Sequence, residues 1–184
     1  MKNRISLLLA GIMLLGSTTL FAQKPFVGDI SFGLSAEGTT DVNITSQLAT
    51  ISSTLTVMGN CTKNVISAQG VGQIQITNGD YYTVISILDL SSMNYGKYYM
   101  EMNKDSIEKE FAMQKFDYNY TEEEKTIAGC KCKKVVVTIT DLESDEQTTQ
   151  TLWVTNDLML GDNINFSTFP GLKGFPMRTE IKQE

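Results

Sequence analysis

Cys130-Lys131-Cys132, followed by Lys133-Lys134, is the stretch of this chain whose residue types and spacing point most directly at chemistry. Cations beside a thiol favour its charged form, so a low-pKa thiolate is one reading. Two thiols together with Met100 and Met102 would also suit a soft ion such as Cu(I). The simpler account is one structural disulfide and one spare thiol. Glu122-Glu123-Glu124 and the acidic run Glu143 to Glu146 offer carboxylates in number, but both fall in expected turns. They lack the regular ligand spacing of a calcium loop and read as solvated charge. The chain contains no His, which removes Ser-His-Asp and Cys-His nucleophiles and every imidazole metal site; Ser-Lys or carboxylate-only chemistry stays open. No glycine-rich phosphate cradle follows a strand and opens a helix. The expectation is therefore a non-enzymatic protein with no catalytic residue, no metal and no cofactor.

Binding is better signalled than catalysis. Phe166, Phe169, Leu172, Phe175 and Met177 sit in a closing segment, 162–175 and just beyond, where turn residues normally dominate. Pro170 and Pro176 prevent regular helix there. These apolar side chains either plug one end of a sheet or form a lid over an apolar groove. In the second case Phe111, Trp153 and the flexible side chains of Met93, Met100, Met102 and Met113 would line the site with Phe166, Phe169, Leu172 and Phe175.

The elements that must position these residues are mostly strands. Gly28 to Gly38 alternates, with Ile30, Phe32, Leu34 and Ala36 on one face and Asp29, Ser31, Ser35 and Glu37 on the other. The segment 39–46 is polar and indefinite. Ile51 to Met58 resumes alternation, and Gly59-Asn60 supplies a turn. Two weaker strands from Cys61 to Ile76 are broken at Gln69-Gly70-Val71-Gly72. Asn78-Gly79-Asp80 marks a hairpin returning through Tyr81 to Leu88, and Lys97 to Met102 follows a turn at 91–96. One helix is expected from Asp105, with capping-box spacing to Glu108 and an apolar side through Ile107 and Phe111 to about Phe116. Val135 to Thr140 is a β-branched strand, and Thr148 to Thr155, carrying the only Trp, returns from it. The sum is a mainly β (α+β) chain: one antiparallel sheet of eight or more strands with one or two short helices.

Compartment and partners follow from composition. Lys2 and Arg4 precede the apolar run Ile5 to Gly16, and a cut after Ala22 is plausible, so 1–22 reads as a secretory signal peptide and 23–184 as a single domain. The run is short for a membrane span, which needs ~20 apolar residues. The expected product is exported, periplasmic or extracellular, and not membrane-spanning. The chain's 15 basic residues, less Lys2 and Arg4, leave 13 against 21 acidic ones, a net charge of −8. Such a chain is poorly suited to nucleic acid, since phosphate neutralisation supplies most of that affinity. In an oxidising compartment one cysteine pair is expected. Cys130 and Cys132 share a strand face and would strain if bonded to each other, leaving Cys61 with one of them, a bond worth about 4 kcal/mol.

Lys125-Thr126-Ile127-Ala128-Gly129, Lys131-Cys132-Lys133-Lys134, Trp153-Val154-Thr155-Asn156 and Leu172-Lys173-Gly174-Phe175-Pro176 together resemble a family of secreted bacterial envelope proteins of unknown function. That family is similar in fold to the LolA-like lipoprotein-carrier half-barrels. The likeness runs from about Val27 to Glu180 and includes the Asn-Gly-Asp hairpin and Tyr98-Tyr99-Met100-Glu101-Met102-Asn103 before the helix. It implies a curved antiparallel sheet, an open half-barrel with its helices on the concave side, holding an acyl chain or another apolar ligand, with an envelope protein as a further partner. By analogy with the motif, Cys132 pairs with Cys61 and Cys130 is the free thiol. The chain departs from the pattern at Cys130, where such proteins carry an aromatic residue, and at Glu184, where relatives continue with further strands.

Overall fold

In the computed structural model, residues 25–36, 42–161 and 163–181 are described; the expected signal peptide, 1–22, lies outside them. Turn chemistry divides the first half into a meander. β1 (Val27–Gly33), β2 (Ser52–Met58), β3 (Cys61–Ala68), β4 (Val71–Asn78), β5 (Thr83–Asp89) and β6 (Lys97–Met102) pair in sequence order as a six-stranded antiparallel sheet. β2–β3 and β3–β4 reverse through the two-residue turns Gly59-Asn60 and Gln69-Gly70, and the φ values of 45° and 85° at the second suit the primed turns that match strand twist. Asn78 closes the next turn by accepting from the amide of Asp80 at 3.0 Å. A short 3-10 turn, Ser91–Met93, leads into β6.

Two helices interrupt the strands. α1 (Val42–Ala49) occupies the segment expected to be indefinite; its described side chains, apart from Leu48, are exposed, and Ile44 with Leu48, four apart among polar residues, is its sparse helical signal in the sequence. α2 (Lys104–Phe111) starts earlier than expected. Asn103, not Asp105, is the N-cap, its side-chain oxygen accepting from the Ser106 amide at 3.0 Å. The helix also stops sooner, because Phe116, Tyr118 and Tyr120 recur with the period of a strand. They belong to β7 (Gln114–Ile127), which pairs with β8 (Cys130–Asp141) around the Ala128-Gly129 turn.

β8, β9 (Gln147–Thr155) and β10 (Phe175–Ile181) complete a second antiparallel sheet in the order β10-β9-β8-β7. The chain is thus mainly β and antiparallel as expected, but divided between two sheets rather than one. Neither sheet closes into a barrel, since β1 and β6 end one sheet and β10 and β7 the other. β-Branched Val135 and Val137 on β8 and Leu152 and Val154 on β9 form the core, with Phe169 and Leu172 inserted from the closing segment. That segment joins the sheets. Phe175, at the start of β10, meets Phe32 of β1 with ring centroids 6.4 Å apart.

Candidate functional site

The closing segment, taken from here on together with residues 156–161 that lead into it, folds back over the ends of the first sheet and leaves a cleft of about 1150 Å³. Three supports shape it. α2 contributes Ile107, Phe111 and Ala112 on one side. The β2–β3 turn, Gly59-Asn60, and Tyr82 before β5 form the floor. The closing segment supplies Leu158, Met159, Leu160, Ile164 and Phe166, then Leu172 and Phe175 from its second half.

Directional bonds hold this frame. Tyr118 on β7 donates its hydroxyl proton to the Pro170 carbonyl at 3.1 Å, and Tyr120 accepts from the Lys173 amide at 2.9 Å. Asn165 donates to the Gly174 carbonyl at 2.6 Å. Phe166 meets Tyr82 edge-on at 5.2 Å, and the Lys104 ammonium stands over the Tyr82 ring, 5.2 Å from its centroid. Burial pushes the Tyr118 hydroxyl up to about 12, with Tyr120 adding to the shift. Asn60 donates to Asp80 at 2.6 Å, while its Oδ1, pressed against Gly161, is buried with no hydrogen-bond partner.

The lining is dominated by aliphatic and aromatic groups, with Lys104, Glu108 and Lys173 as its charged members. Lys104 and Glu108 form an exposed ion pair at 3.6 Å. The arrangement suits retention of an apolar body with one polar end.

Of the residues expected to bind, the cleft brings together Phe111, Phe166, Leu172 and Phe175. Phe169 is withdrawn into the core of the second sheet. Trp153 is not a lining residue: its indole N–H donates to Glu180 at 3.0 Å, and Lys125 lies over its ring, on the face of β9 opposite Leu152 and Val154. The methionines expected to line the site are not gathered there. Met93, Met100 and Met113 are exposed outside the cleft, and Met102 is half-buried on β6 and does not line it either. Ile107, Leu158, Leu160 and Ile164 take their place. The apolar triplet Leu158-Met159-Leu160 between Asp157 and Gly161 was the available signal for Leu158 and Leu160.

The cysteines do not form a site. Cys61 opens β3 in the first sheet, whereas Cys130 and Cys132 open β8 in the second. All three are free thiols, so the expected Cys61–Cys132 bond is not made in the structure. Cys132 is only 1% exposed. Burial pushes its thiol up, with Cys130 adding to the effect, so it is held protonated rather than activated by the neighbouring lysines. Met100 and Met102, on the other sheet, are not gathered with them. Among the described residues no three His, Cys, Asp or Glu side chains are grouped to hold a metal, and no helix is long and apolar enough to cross a membrane. Compared with protein-family models, curated proteins and solved structures, the chain matches none.

Proposed function

We propose that this is an exported, non-enzymatic protein that holds an apolar ligand, a lipid or lipid-linked group, in the cleft beneath its closing segment. The observation that carries this is the cleft itself. Its volume of about 1150 Å³ lies just above the roughly 300–1,000 Å³ typical of small-molecule sites, and its lining is mostly apolar. The resemblance of the motifs to the envelope family supports the same ligand class.

Magnitudes favour a long chain over a short one. Burying methylenes contributes ~0.8 kcal/mol each, while association costs at least ~4 kcal/mol in lost freedom. A chain of about ten methylenes gives ~8 kcal/mol and leaves a useful surplus. Lys104 and Lys173 at the rim would meet an anionic head group. A second reading, a self-filled interaction module, draws on the burial of Phe169, Leu172 and Phe175, which seat the same segment in the core.

Displacement of a fluorescent fatty acid separates the two. Saturable binding by the mature protein, weakened about tenfold by Phe111→Ala through lost aromatic burial, is the expected result. No saturable binding at high micromolar probe would favour the self-filled module.

A further inference from the structure

Among the described residues, strand β6 ends the first sheet, and of the devices that keep sheet edges apart it has only the charges of Lys97 and Glu101. It contains no proline, its register with β5 is unbroken, and its large side chains stand in solvent: Tyr98 is 54%, Tyr99 63% and Met100 51% exposed. The other edges are guarded. β10 carries Pro176 and a bulge before Arg178, and the pairing of β7 breaks between Tyr120 and Glu124, where glutamates cluster. The entry to β1 is tied down by the Phe26 amide, which donates to the Met159 carbonyl at 3.0 Å.

The free backbone groups of β6 follow from the hairpin registers. The two-residue turn at Gln69-Gly70 makes Ala68 and Val71 a mutually hydrogen-bonded pair. Alternation carries that pattern through β4 and β5, so Tyr98, Met100 and Met102 spend their N–H and C=O groups on Leu88, Ser86 and Val84. Lys97, Tyr99 and Glu101 turn theirs outward.

We propose that β6 pairs antiparallel with β6 of a second copy of this chain, about a two-fold axis at Tyr99. Only this register opposes all three outward residues to one another. It places Lys97 against Glu101 of the second copy, Tyr99 against its equivalent, and Glu101 against the second Lys97, so symmetry makes the charge complementarity twice. The side chains are already disposed for it. The Tyr99 hydroxyl donates to Glu101 at 2.7 Å and holds that carboxylate beside the ring; Lys97 stands 3.0 Å from Asp89 on the same face. Val65, Ile74, Ile87 and Tyr99 are successive cross-strand partners. Pairing would extend this half-apolar row unbroken into the second copy. On the other face Tyr98 meets Met100 of the second copy.

Sedimentation equilibrium of the mature chain tests this with two charge reversals. Glu101→Lys opposes Lys to Lys, and Lys97→Glu opposes Glu to Glu, each at two symmetric positions. Each variant alone is expected to dimerise about tenfold more weakly or worse. Mixed in equal amounts they become complementary again, and a heterodimer should return at wild-type strength. Circular dichroism verifies that each variant is folded before mixing. Hydrogen exchange supplies an independent readout, since the Tyr99 and Glu101 amides should slow as wild-type concentration rises. A wild type that stays monomeric at high micromolar concentration overturns the pairing. So does a dimer indifferent to both reversals, or a mixture of folded variants that fails to associate.

Discussion

Replacing Gly174 by Ala should loosen the whole closing segment, and the structure gives the size of the effect. Gly174 has φ +89°, in the left-handed region, where an L side chain costs roughly 1–2 kcal/mol. A Cβ there would lie 2.7 Å from Val154 Cγ1, 2.7 Å from Asn156 Oδ1 and 2.9 Å from the Thr155 carbonyl oxygen. Two of these neighbours belong to β9, inside the second sheet, and the carbonyl cannot rotate away. Overpacking of that kind adds roughly 1–3 kcal/mol. The total, about 2–5 kcal/mol, is a large share of the ~5–15 kcal/mol that stabilises a typical domain. Gly171→Ala is the internal control. Its φ is +81°, but nothing lies within 4 Å of the added methyl, so only the backbone cost of roughly 1–2 kcal/mol applies. Urea unfolding of the two variants should separate them by the packing contribution, about 1–3 kcal/mol. Because the Gly174 carbonyl accepts from Asn165, fatty-acid affinity should fall in Gly174→Ala more than in Gly171→Ala. Equal destabilisation by the two substitutions would refute the close approach of the segment to β9.

Three further outcomes follow from named groups. The Tyr118 hydroxyl titrates at about 12, above the ordinary ~10 of an unfolded tyrosine, so its contribution to stability is present below pH ~10 and is lost as pH rises through the folded value; Tyr118→Phe should flatten this alkaline loss in pH-dependent melts and cost about 1 kcal/mol at neutral pH, through the bond to Pro170. Asp89 is held at about 2 by its hydrogen bonds to Ser91 first and by Lys97 after them, so its contribution is present above the ordinary carboxylate range and is lost as pH falls toward 2; acid melts of Asp89→Asn should lack that part of the decline. Cys132 should resist thiol reagents in the native protein and react only on unfolding, while a Cys61–Cys132 linked peptide would contradict its placement as a free, buried thiol.

The strands of the first sheet were legible because their signals are local. Gly59-Asn60, Gln69-Gly70 and Asn78-Gly79 mark reversals by turn chemistry alone, and the alternation of Ile30 and Phe32 fixes a face. What failed was non-local or competing. Ile107 and Phe111, four apart, fit a helical stripe, but Phe116 lies off that stripe and alternates with Tyr118 and Tyr120, and it pairs with β8 as strand. Asp105 and Glu108 imitate a capping box, but Asn103 lies where the chain first turns. α1 was read as indefinite because Ile44 and Leu48 are a short apolar signal among Asn, Thr, Ser and Gln. For the candidate site, apolar side chains in a proline-containing segment pointed to Phe166, Leu172 and Phe175, which line the cleft. The methionines were misplaced because composition shows that a flexible side chain exists but not which sheet edge carries it. Only the strand register places Met100 on an open edge, and only the packing of α2 sets Ile107 against the cleft.

The most direct test of an occupied cleft is native mass spectrometry of the mature protein, purified from an envelope fraction without reductant. A lipid-binding role predicts an additional mass that denaturation releases, fragmenting as a long acyl chain, and diminished in Phe111→Ala. A bare polypeptide, still bare after incubation with envelope lipids, would contradict it.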